Sequence, residues 1–346
     1  MDVAILGATG AVGQRFVQLL AGHPFFRVRE VAASGRSAGR RYAAACHWTL
    51  PTPLPDRVGD LVVKPLDAPL DSPLVFSALP ADVAGEVEER LADAGHAVST
   101  NARNHRMDPD VPLLIPEVNW THVEAVAAQR ARRGSEGFIV ANPNCSTIVL
   151  TLALKPLQDA FGLERVMVTT LQALSGAGYP GVPSLDILDN VLPHIGGEEE
   201  KVETEPRKIL GTWRDGAFVD APIKVSAACN RVATADGHLE CVSVDLGLDA
   251  SPDEVTAALR AYRSPLRDLG LPGAPDPVVI VRAEPDRPQP RLDRDAGRGM
   301  AVTVGRVRPC PILDYKFVAL GHNTVRGAAG GAILNAELLY ARGLIG

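Results

Sequence analysis

"MDVAILGATGAVGQRF", residues 1–16, contains the stretch that decides the fold of the first half of this chain. A short apolar run leads into the turn "GATGAVG", and an apolar-periodic segment follows it. Glycine permits a tight turn and lets backbone N–H groups approach a pyrophosphate at the positive end of a helix. Strand, turn and helix together predict a dinucleotide-binding unit. Its predicted contacts with the cofactor are Gly7, Thr9, Gly10, Ala11, Val12 and Gly13.

The same alternation continues outward from this unit as far as residue 144. Strand-like runs such as "RVREVAAS", "LVFSAL" and "GFIVAN" are separated by helical patterns such as "ADVAGEVEERLADAGH". This rhythm predicts a parallel, doubly wound, Rossmann-like α/β sheet. Beyond residue 144, longer runs with period-two alternation, "RVMVTTLQAL" and "HLECVSVDL", predict a second α+β domain with a mixed sheet. A glycine-rich loop and an amphipathic helix close the chain and are expected to pack on the first domain.

Composition excludes several classes of protein. The chain has 346 residues, is 46% hydrophobic and 22% charged, and carries a net charge of −6, so it has no basic footprint for nucleic acid or an anionic membrane. No apolar run reaches the ~20 residues of a membrane helix, and no leader precedes the first strand. Five scattered cysteines without ligand spacing fit neither disulfides nor a metal site. We therefore expect a cytoplasmic protein without metal, nucleic-acid or membrane partners.

The second strand ends in "VAASGRSAGRR" instead of the acidic residue that binds a ribose 2′-hydroxyl. An arginine flanked by serines suits a 2′-phosphate. Ser34, Arg36 and Ser37 therefore predict NADP in preference to NAD. The alternative is that Arg36 is only a solvated loop charge.

"NPNCST", residues 142–147, follows the strand "GFIVA" and precedes a long apolar helix. Cys145 thus begins a helix at the sheet edge where open α/β folds place their ligands. A helix N-terminus stabilises a thiolate. His238 is the best proton partner, on an alternating strand seven residues after Arg231. Together these residues suggest that a thiolate attacks an acyl carbon and a nicotinamide exchanges hydride.

Six ordered motifs, "GATGAVG", "NPNCST", "LQALSGAGYPG", "GGEEEKVETEPRKIL", "NRVATADGH" and "GHNTVRGAA", span the chain. Together they resemble the aspartate-β-semialdehyde dehydrogenase family, and the motif sequences are most similar to those of its archaeal and fungal branch. The resemblance implies NADPH-dependent reductive dephosphorylation of L-aspartyl-4-phosphate to L-aspartate 4-semialdehyde, in lysine, threonine, methionine and isoleucine biosynthesis. It also implies an NADP-binding domain at residues 1–144, completed by the C-terminal helix 324–346. Residues 145–323 would form the catalytic and dimerisation domain of a homodimer or homotetramer.

The resemblance also implies roles for individual residues. Cys145 would be the nucleophile, His238 the general acid/base, and Gln172 a residue that orients the reacting group. The implied substrate ligands are Arg106, Asn144, Glu198, Lys201 and Arg231. Further implied cofactor contacts are Ser77, Ser175, Gly176 and Asn323. Two choices stay open: Glu198, Glu199 or Glu200 for the substrate ammonium, and Arg103 or Arg106 for the phosphate.

Three other functions compete with this assignment. N-acetyl-γ-glutamyl-phosphate reductase shares the architecture, but its acetylated amine has no charge to pair with Glu198. Glyceraldehyde-phosphate dehydrogenase fits "NPNCST" and the context of His238 less well. A non-catalytic NADPH-binding regulator would not need both Cys145 and His238.

Overall fold

The computed structural model describes residues 1–346 and contains a five-stranded sheet, a six-stranded sheet and a two-stranded hairpin. The five-stranded sheet has the order β2-β1-β3-β4-β5, and all its neighbours are parallel. Its strands are β1 (Asp2–Leu6), β2 (Arg27–Ala32), β3 (Leu74–Ser77), β4 (Ala97–Thr100) and β5 (Phe138–Ala141). This is the parallel α/β sheet that the alternation predicted.

The six-stranded sheet has the order β11-β12-β13-β10-β6-β9 and mixes parallel with antiparallel pairs. Its strands are β6 (Leu163–Gln172), β9 (Lys224–Arg231), β10 (His238–Leu246), β11 (Val279–Arg282), β12 (Val302–Pro309) and β13 (Tyr315–Gly321). The hairpin comprises β7 (Thr212–Arg214) and β8 (Ala217–Val219). The prediction of a second, mixed-sheet domain is confirmed.

Helices cover both faces of the first sheet and one face of the second. The α-helices are α1 (Ala11–Leu20), α2 (Tyr42–Ala45), α3 (Asp56–Gly59), α4 (Ala81–Asp93), α5 (Pro116–Asn119), α6 (Ala125–Arg133), α7 (Cys145–Phe161), α8 (Ser184–Ile187), α9 (Glu198–Ile209), α10 (Pro252–Ala261), α11 (Pro290–Asp293) and α12 (Gly330–Ala341). Short 3₁₀ turns lie at Trp120–Glu124, Leu174–Ala177, Arg267–Leu269 and Ala296–Gly299, and a π-helical turn at Val325–Ala329 precedes α12.

The first sheet shares its core with the end of the chain. Ala332, Ile333 and Leu334 belong to the same buried cluster as Val3 and Phe76 of the first sheet. The expected amphipathic character of this last helix is wrong. All residues of α12 from Gly330 to Leu339 are buried, because the helix is surrounded instead of lying on a surface.

A second apolar cluster joins the two halves of the molecule through α7. Leu150 and Leu154 of α7 lie in one cluster with Val75 of the first sheet and Val242 of the second. The helix that Cys145 begins is therefore packed between both sheets along its length. None of the helices combines the length and apolar character needed to cross a membrane.

Candidate active site

The glycine-rich turn has the geometry of a phosphate cradle. Gly7 has φ +67°, and a Cβ added there would lie 2.5 Å from the Ala78 carbonyl oxygen. A Cβ on Gly13 would lie 2.3 Å from the Gly7 carbonyl oxygen, so both positions require glycine. Gly10, the N-cap of α1, is exposed, and no acidic side chain occupies the first turn of the helix. The open backbone N–H groups of this turn fit a pyrophosphate.

Thr9, Ala11 and Val12 keep part of their surface accessible around this turn. Ser34 and Arg36 are exposed directly after β2, and Ser37 closes a turn by donating its backbone N–H to the Ser34 carbonyl at 2.9 Å. The three residues that the sequence assigned to a 2′-phosphate thus share one accessible turn.

Cys145 is the first residue of α7, and Asn144 caps the helix. The Asn144 side-chain oxygen accepts hydrogen bonds from the N–H groups of Ser146 at 2.9 Å and Thr147 at 3.2 Å. Cys145 keeps part of its surface accessible. Burial of the thiol raises its pKa to about 12, and the Glu198 carboxylate adds to this shift, while Arg106 and Arg231 lower it. Burial is the largest of these effects on the thiol pKa.

Arg231, Gln172 and His238 lie in one row across the second sheet. Gln172 of β6 pairs with Arg231 of β9, and the register that pairs Leu239 with Leu171 places Gln172 across from His238. Residues in such a row project from the same face of the sheet. All three side chains are buried on the helix-covered face. The sheet itself therefore brings these predicted residues together.

Gly176 lies directly over this row. A Cβ added to Gly176 would stand 2.7 Å from Arg231 Nη1 and 3.1 Å from His238 Cε1. Any larger residue would enter the space above the imidazole and the guanidinium. Gly176 therefore keeps that space open.

The hydrogen bonds of His238 define its tautomer. The Ala173 backbone N–H donates to His238 Nδ1 at 3.0 Å, so the neutral ring carries its proton on Nε2. Nε2 is buried and has no protein partner. Burial lowers the pKa of His238 to about 3, and the charges of Arg231 and His322 act in the same direction. His238 is thus a neutral imidazole with a free N–H donor.

Helix α9 presents the predicted acidic residue to the start of α7. Glu198 is buried and accepts a hydrogen bond from the Asn144 side-chain amide, and Lys201 Nζ lies 3.5 Å from its other carboxylate oxygen. Glu199 instead accepts from the Cys229 backbone N–H at 3.1 Å, and Glu200 is exposed. Of the three glutamates, only Glu198 contacts a residue adjacent to Cys145.

A cavity of about 440 Å³ lies between α9 and the loop after β4, and both basic side chains and the acidic Asp82, Glu200 and Glu205 line it. Arg103, Arg106 and Lys201 all line it. Arg103 is exposed, whereas Arg106 is buried and influences the pKa of Cys145. Arg106 is therefore the arginine of this pair that lies nearer the thiol.

Asn323 connects the end of the chain to the row of site residues. Its side-chain amide donates to the Ser175 hydroxyl at 2.8 Å, and its oxygen accepts from the Gly237 N–H at 2.8 Å, next to His238. Ser77 differs from the other predicted cofactor contacts. It is fully buried, and its hydroxyl donates to Glu88 of α4, so that hydroxyl is committed to the interior.

Gly327, in the π-helical turn, packs against the candidate nucleophile. A Cβ on Gly327 would lie 2.6 Å from the Cys145 Cβ. The neighbouring Arg326 forms a bidentate, buried ion pair with Glu117, at 2.6 and 2.7 Å. This pair fixes the turn that backs Cys145.

Sequence reasoning missed several polar residues beside the site. Glu205 and Lys208 of α9 are buried against the loop that carries Arg106, and Arg15 of α1 lines a cavity of about 220 Å³ with Ser175 and Asp236. One signal was present for Glu205. It follows Glu198 by two helical turns, so both residues lie on one face of α9.

A dinucleotide-binding sheet, joined to a second sheet whose buried imidazole and guanidinium lie near a cysteine at a helix start, defines a two-domain dehydrogenase. Residues 2–126 match the family described as "Semialdehyde dehydrogenase, NAD binding domain", and residues 154–326 match "Semialdehyde dehydrogenase, dimerisation domain". The chain is 53% identical to the aspartate-semialdehyde dehydrogenase of Archaeoglobus fulgidus, over 99% of both chains. The chain belongs to the aspartate-semialdehyde dehydrogenase family.

Fungal relatives agree with this assignment. The aspartate-semialdehyde dehydrogenase of Saccharomyces cerevisiae is 45% identical, over 99% of this chain and 98% of its own. The crystal structure of the Candida albicans aspartate semialdehyde dehydrogenase with NADP superposes with a TM-score of 0.92, at 44% identity and 99% coverage of both chains. The resemblance to the archaeal and fungal branch is confirmed.

Proposed function

We propose that this protein catalyses the reversible, NADPH-dependent reductive dephosphorylation of L-aspartyl-4-phosphate to L-aspartate 4-semialdehyde, the NADP-dependent step of the aspartate pathway. The observation that carries the proposal is the row of Arg231, Gln172 and His238, which lies close to a thiol whose pKa responds to both Arg231 and Glu198. These residues would supply one substrate with a ligand for its carboxylate, a ligand for its ammonium and a nucleophile. The N-acetylated substrate of the related reductase has no ammonium for Glu198 to pair with.

The residues present fit NADP. Gly7 and Gly13 would form the pyrophosphate cradle, Ala11 and Val12 offer N–H groups at the helix start, and the exposed Arg36 can meet a 2′-phosphate. Ser175, Gly176 and Asn323 would hold the nicotinamide end beside the row of site residues. The Candida albicans relative was solved with NADP. When bound, NADPH supplies the hydride that reduces the acyl carbon.

Each charged group of aspartyl phosphate has a candidate ligand of opposite sign. The planar Arg231 guanidinium suits the α-carboxylate, and Glu198 suits the ammonium. Arg106 and Lys201 suit the phosphate, with Asn144 between them and the thiol. These assignments explain why two arginines and a buried carboxylate surround one cysteine.

The covalent chemistry proceeds through Cys145. Its sulfur bonds to C4 while the bond between C4 and the phosphate oxygen breaks and leaves its electron pair on that oxygen. The departing phosphate takes up the thiol proton, so a thioester and free phosphate remain. After reduction of the thioester carbon, the C–S bond breaks, its electron pair goes to sulfur, and the semialdehyde leaves. Sulfur then regains a proton from solvent. The free Nε2–H of His238 donates to the substrate oxygen while that oxygen carries negative charge.

The second domain would also form a homodimer. The face of its sheet that no helix covers carries Met167, Thr169, Ala228 and Cys241, all exposed and uncharged. The surface around them also includes Ser226, Ser243, Arg308 and Lys316, and such a mixed face with exposed apolar side chains suits association with a second copy. This domain matches a dimerisation domain. Light scattering on the wild-type protein and on Met167→Arg tests this: we expect a dimer that the substitution dissociates. A wild-type monomer would contradict the proposal.

The decisive experiment for the activity is reduction of NADP in the presence of aspartate semialdehyde and phosphate. We expect NADPH to form only when both are present, and succinic semialdehyde, which lacks the ammonium, to be a much poorer substrate. NADP binding without turnover would favour a regulator instead. Equal rates with the two aldehydes would remove the ammonium site at Glu198.

A further inference from the structure

Glu205 of α9 uses its two carboxylate oxygens on two different parts of the site. One oxygen accepts from Arg106 Nη1 at 2.8 Å, and the other accepts from the Asn144 backbone N–H at 2.7 Å. Glu205 is only 2% exposed, and Arg106 is 7% exposed. A carboxylate buried between a guanidinium and a backbone donor holds both donors in a fixed geometry. Glu205 thus links the candidate phosphate ligand to the residue that precedes Cys145.

Lys208 holds the other end of the same loop. Its ammonium group donates to the carbonyl oxygens of Arg106 at 2.8 Å, Asp108 at 2.8 Å and Val111 at 2.9 Å. Lys208 lies one turn after Glu205, so one face of α9 forms hydrogen bonds with both the guanidinium and the backbone of Arg106. The position of Arg106 is therefore set by α9 and not by its own flexible side chain.

A further hydrogen bond restrains the Arg106 guanidinium. Nη2 donates to the Asn101 carbonyl at 2.8 Å, while Nε is buried without a partner. Each Nη group also carries a second N–H, so the guanidinium can still offer a donor to an anion in the cavity that Arg106 lines. Without Glu205 the guanidinium would lose the contact that orients its free edge.

We infer that Glu205 is a positioning residue for catalysis, which fixes both the phosphate-binding orientation of Arg106 and the helix start that carries Cys145. This inference rests on the proposed function, because it takes Arg106 as a phosphate ligand. Both carboxylate oxygens of Glu205 are engaged by protein donors. It acts through Arg106 and Asn144.

Glu205→Gln tests this role, because an amide has only one acceptor oxygen. Both partners of Glu205 are donors, so the glutamine can satisfy Arg106 or Asn144 but not both. We expect the KM for inorganic phosphate, measured in the direction of NADP reduction, to rise about tenfold or more. The KM for NADP should stay within about twofold, because Glu205 does not contact the glycine-rich turn.

Glu203→Gln provides the matched control. Glu203 lies on the same helix and accepts one backbone N–H, from Ala227 at 3.0 Å, but contacts neither Arg106 nor Asn144. We expect this variant to keep the wild-type KM for phosphate. If the two glutamine variants show the same phosphate KM in an enzyme that turns over, the inference is wrong. A wild-type protein without turnover would overturn the proposed function instead.

A second readout does not need turnover. Phosphate bound at Arg106 should protect Cys145 from alkylation by iodoacetamide, and Glu205→Gln should raise the protecting phosphate concentration about tenfold. Arg106→Ala should have the same effect, and the double variant should be no worse than Arg106→Ala alone. Additive losses would show that Glu205 does not act through Arg106. If the glutamine variant does not fold, Glu205→Asp, which keeps the charge at a shorter reach, takes its place with the same expected shift.

Discussion

Glu198 accepts a hydrogen bond from the side-chain amide of Asn144, the residue directly before Cys145. Its carboxylate is the largest charge effect that raises the pKa of the Cys145 thiol. Glu198→Gln should therefore lower that pKa and speed alkylation of Cys145 by iodoacetamide at pH 8. The same variant should raise the KM for aspartate semialdehyde, because the ammonium loses its counter-charge. Unchanged alkylation would mean that Glu198 does not act on the thiol.

Cys145→Ser should nearly abolish turnover and leave NADP binding intact. A hydroxyl is far less ionised than a thiol near neutral pH, so the serine cannot form the acyl intermediate at a comparable rate. Steady-state rates combined with NADP titration measure both effects. Cys310→Ser, directly after β12 and outside the proposed active site, is the control. A Cys145→Ser variant with wild-type rates would contradict thioester chemistry.

Arg231→Lys should raise the KM for aspartate semialdehyde and lower kcat. Lysine keeps the charge but loses the two parallel hydrogen bonds to the α-carboxylate, which also displaces the carbon from Cys145. In the structure Arg231 Nη1 also donates to the Ala173 carbonyl at 2.8 Å, so the melting temperature of the variant must be measured as well. A lower melting temperature with an unchanged KM would make Arg231 a purely structural residue.

Arg36→Ala should weaken NADP binding much more than NAD binding, because only NADP carries the 2′-phosphate. Loss of one charge-assisted contact at an exposed site corresponds to roughly 1–2 kcal/mol, or about 5- to 30-fold in Kd. Arg57→Ala, an exposed arginine elsewhere in the first domain, is the control. Equal losses for both cofactors would remove Arg36 from the specificity determinants.

Acid should destabilise the fold through its buried histidines. Burial lowers the pKa of His122 to about 4, against ~6.5 in an unfolded chain. Between these values the unfolded chain binds a proton that the folded protein excludes. The stability present above pH 6.5 is therefore lost as the pH falls, by up to ~3 kcal/mol for this group. His122→Gln should flatten the dependence of unfolding free energy on pH between 4 and 6.5 relative to exposed His194→Gln; equal slopes would contradict this.

Local sequence patterns predicted the strands and helices of the first half of the chain well. The alternation of strands and helices before residue 144 is confirmed, because βαβ units leave a strong periodic pattern in sequence. The character of the last helix, α12, was predicted wrongly. "AILNAELLYA" reads as amphipathic because of Asn335 and Glu337, yet both are buried. Asn335 donates to Asn142, and Glu337 accepts from Gly273, partners that no local pattern reveals.

The candidate site likewise combines residues that local sequence patterns predict with residues that they do not predict. Cys145 and the glycine-rich turn each follow a strand of the first sheet. At such positions the residue types alone indicate the ligand-binding edge of the sheet. The charged segment "EEEKVETEPRKI" reads as a solvated helix, but Glu198, Glu205 and Lys208 are buried within it. Arg106 and Glu205 are 99 positions apart in the chain, and their pairing depends on how the two sheets meet. Such a contact is a property of the packing and not of the helix.

The contact between Gly327 and Cys145 has a consequence for the nascent chain. The ribosome delivers Cys145 early and the π-helical turn that backs it near the end, an interval of roughly 10–40 s at ordinary rates of synthesis. During that time Gly327 cannot pack against Cys145, and Arg326 cannot pair with Glu117. A protein cut short before this turn would carry every group proposed for the chemistry and still lack the assembled pocket. Synthesis of this turn therefore acts as the last step in building the site.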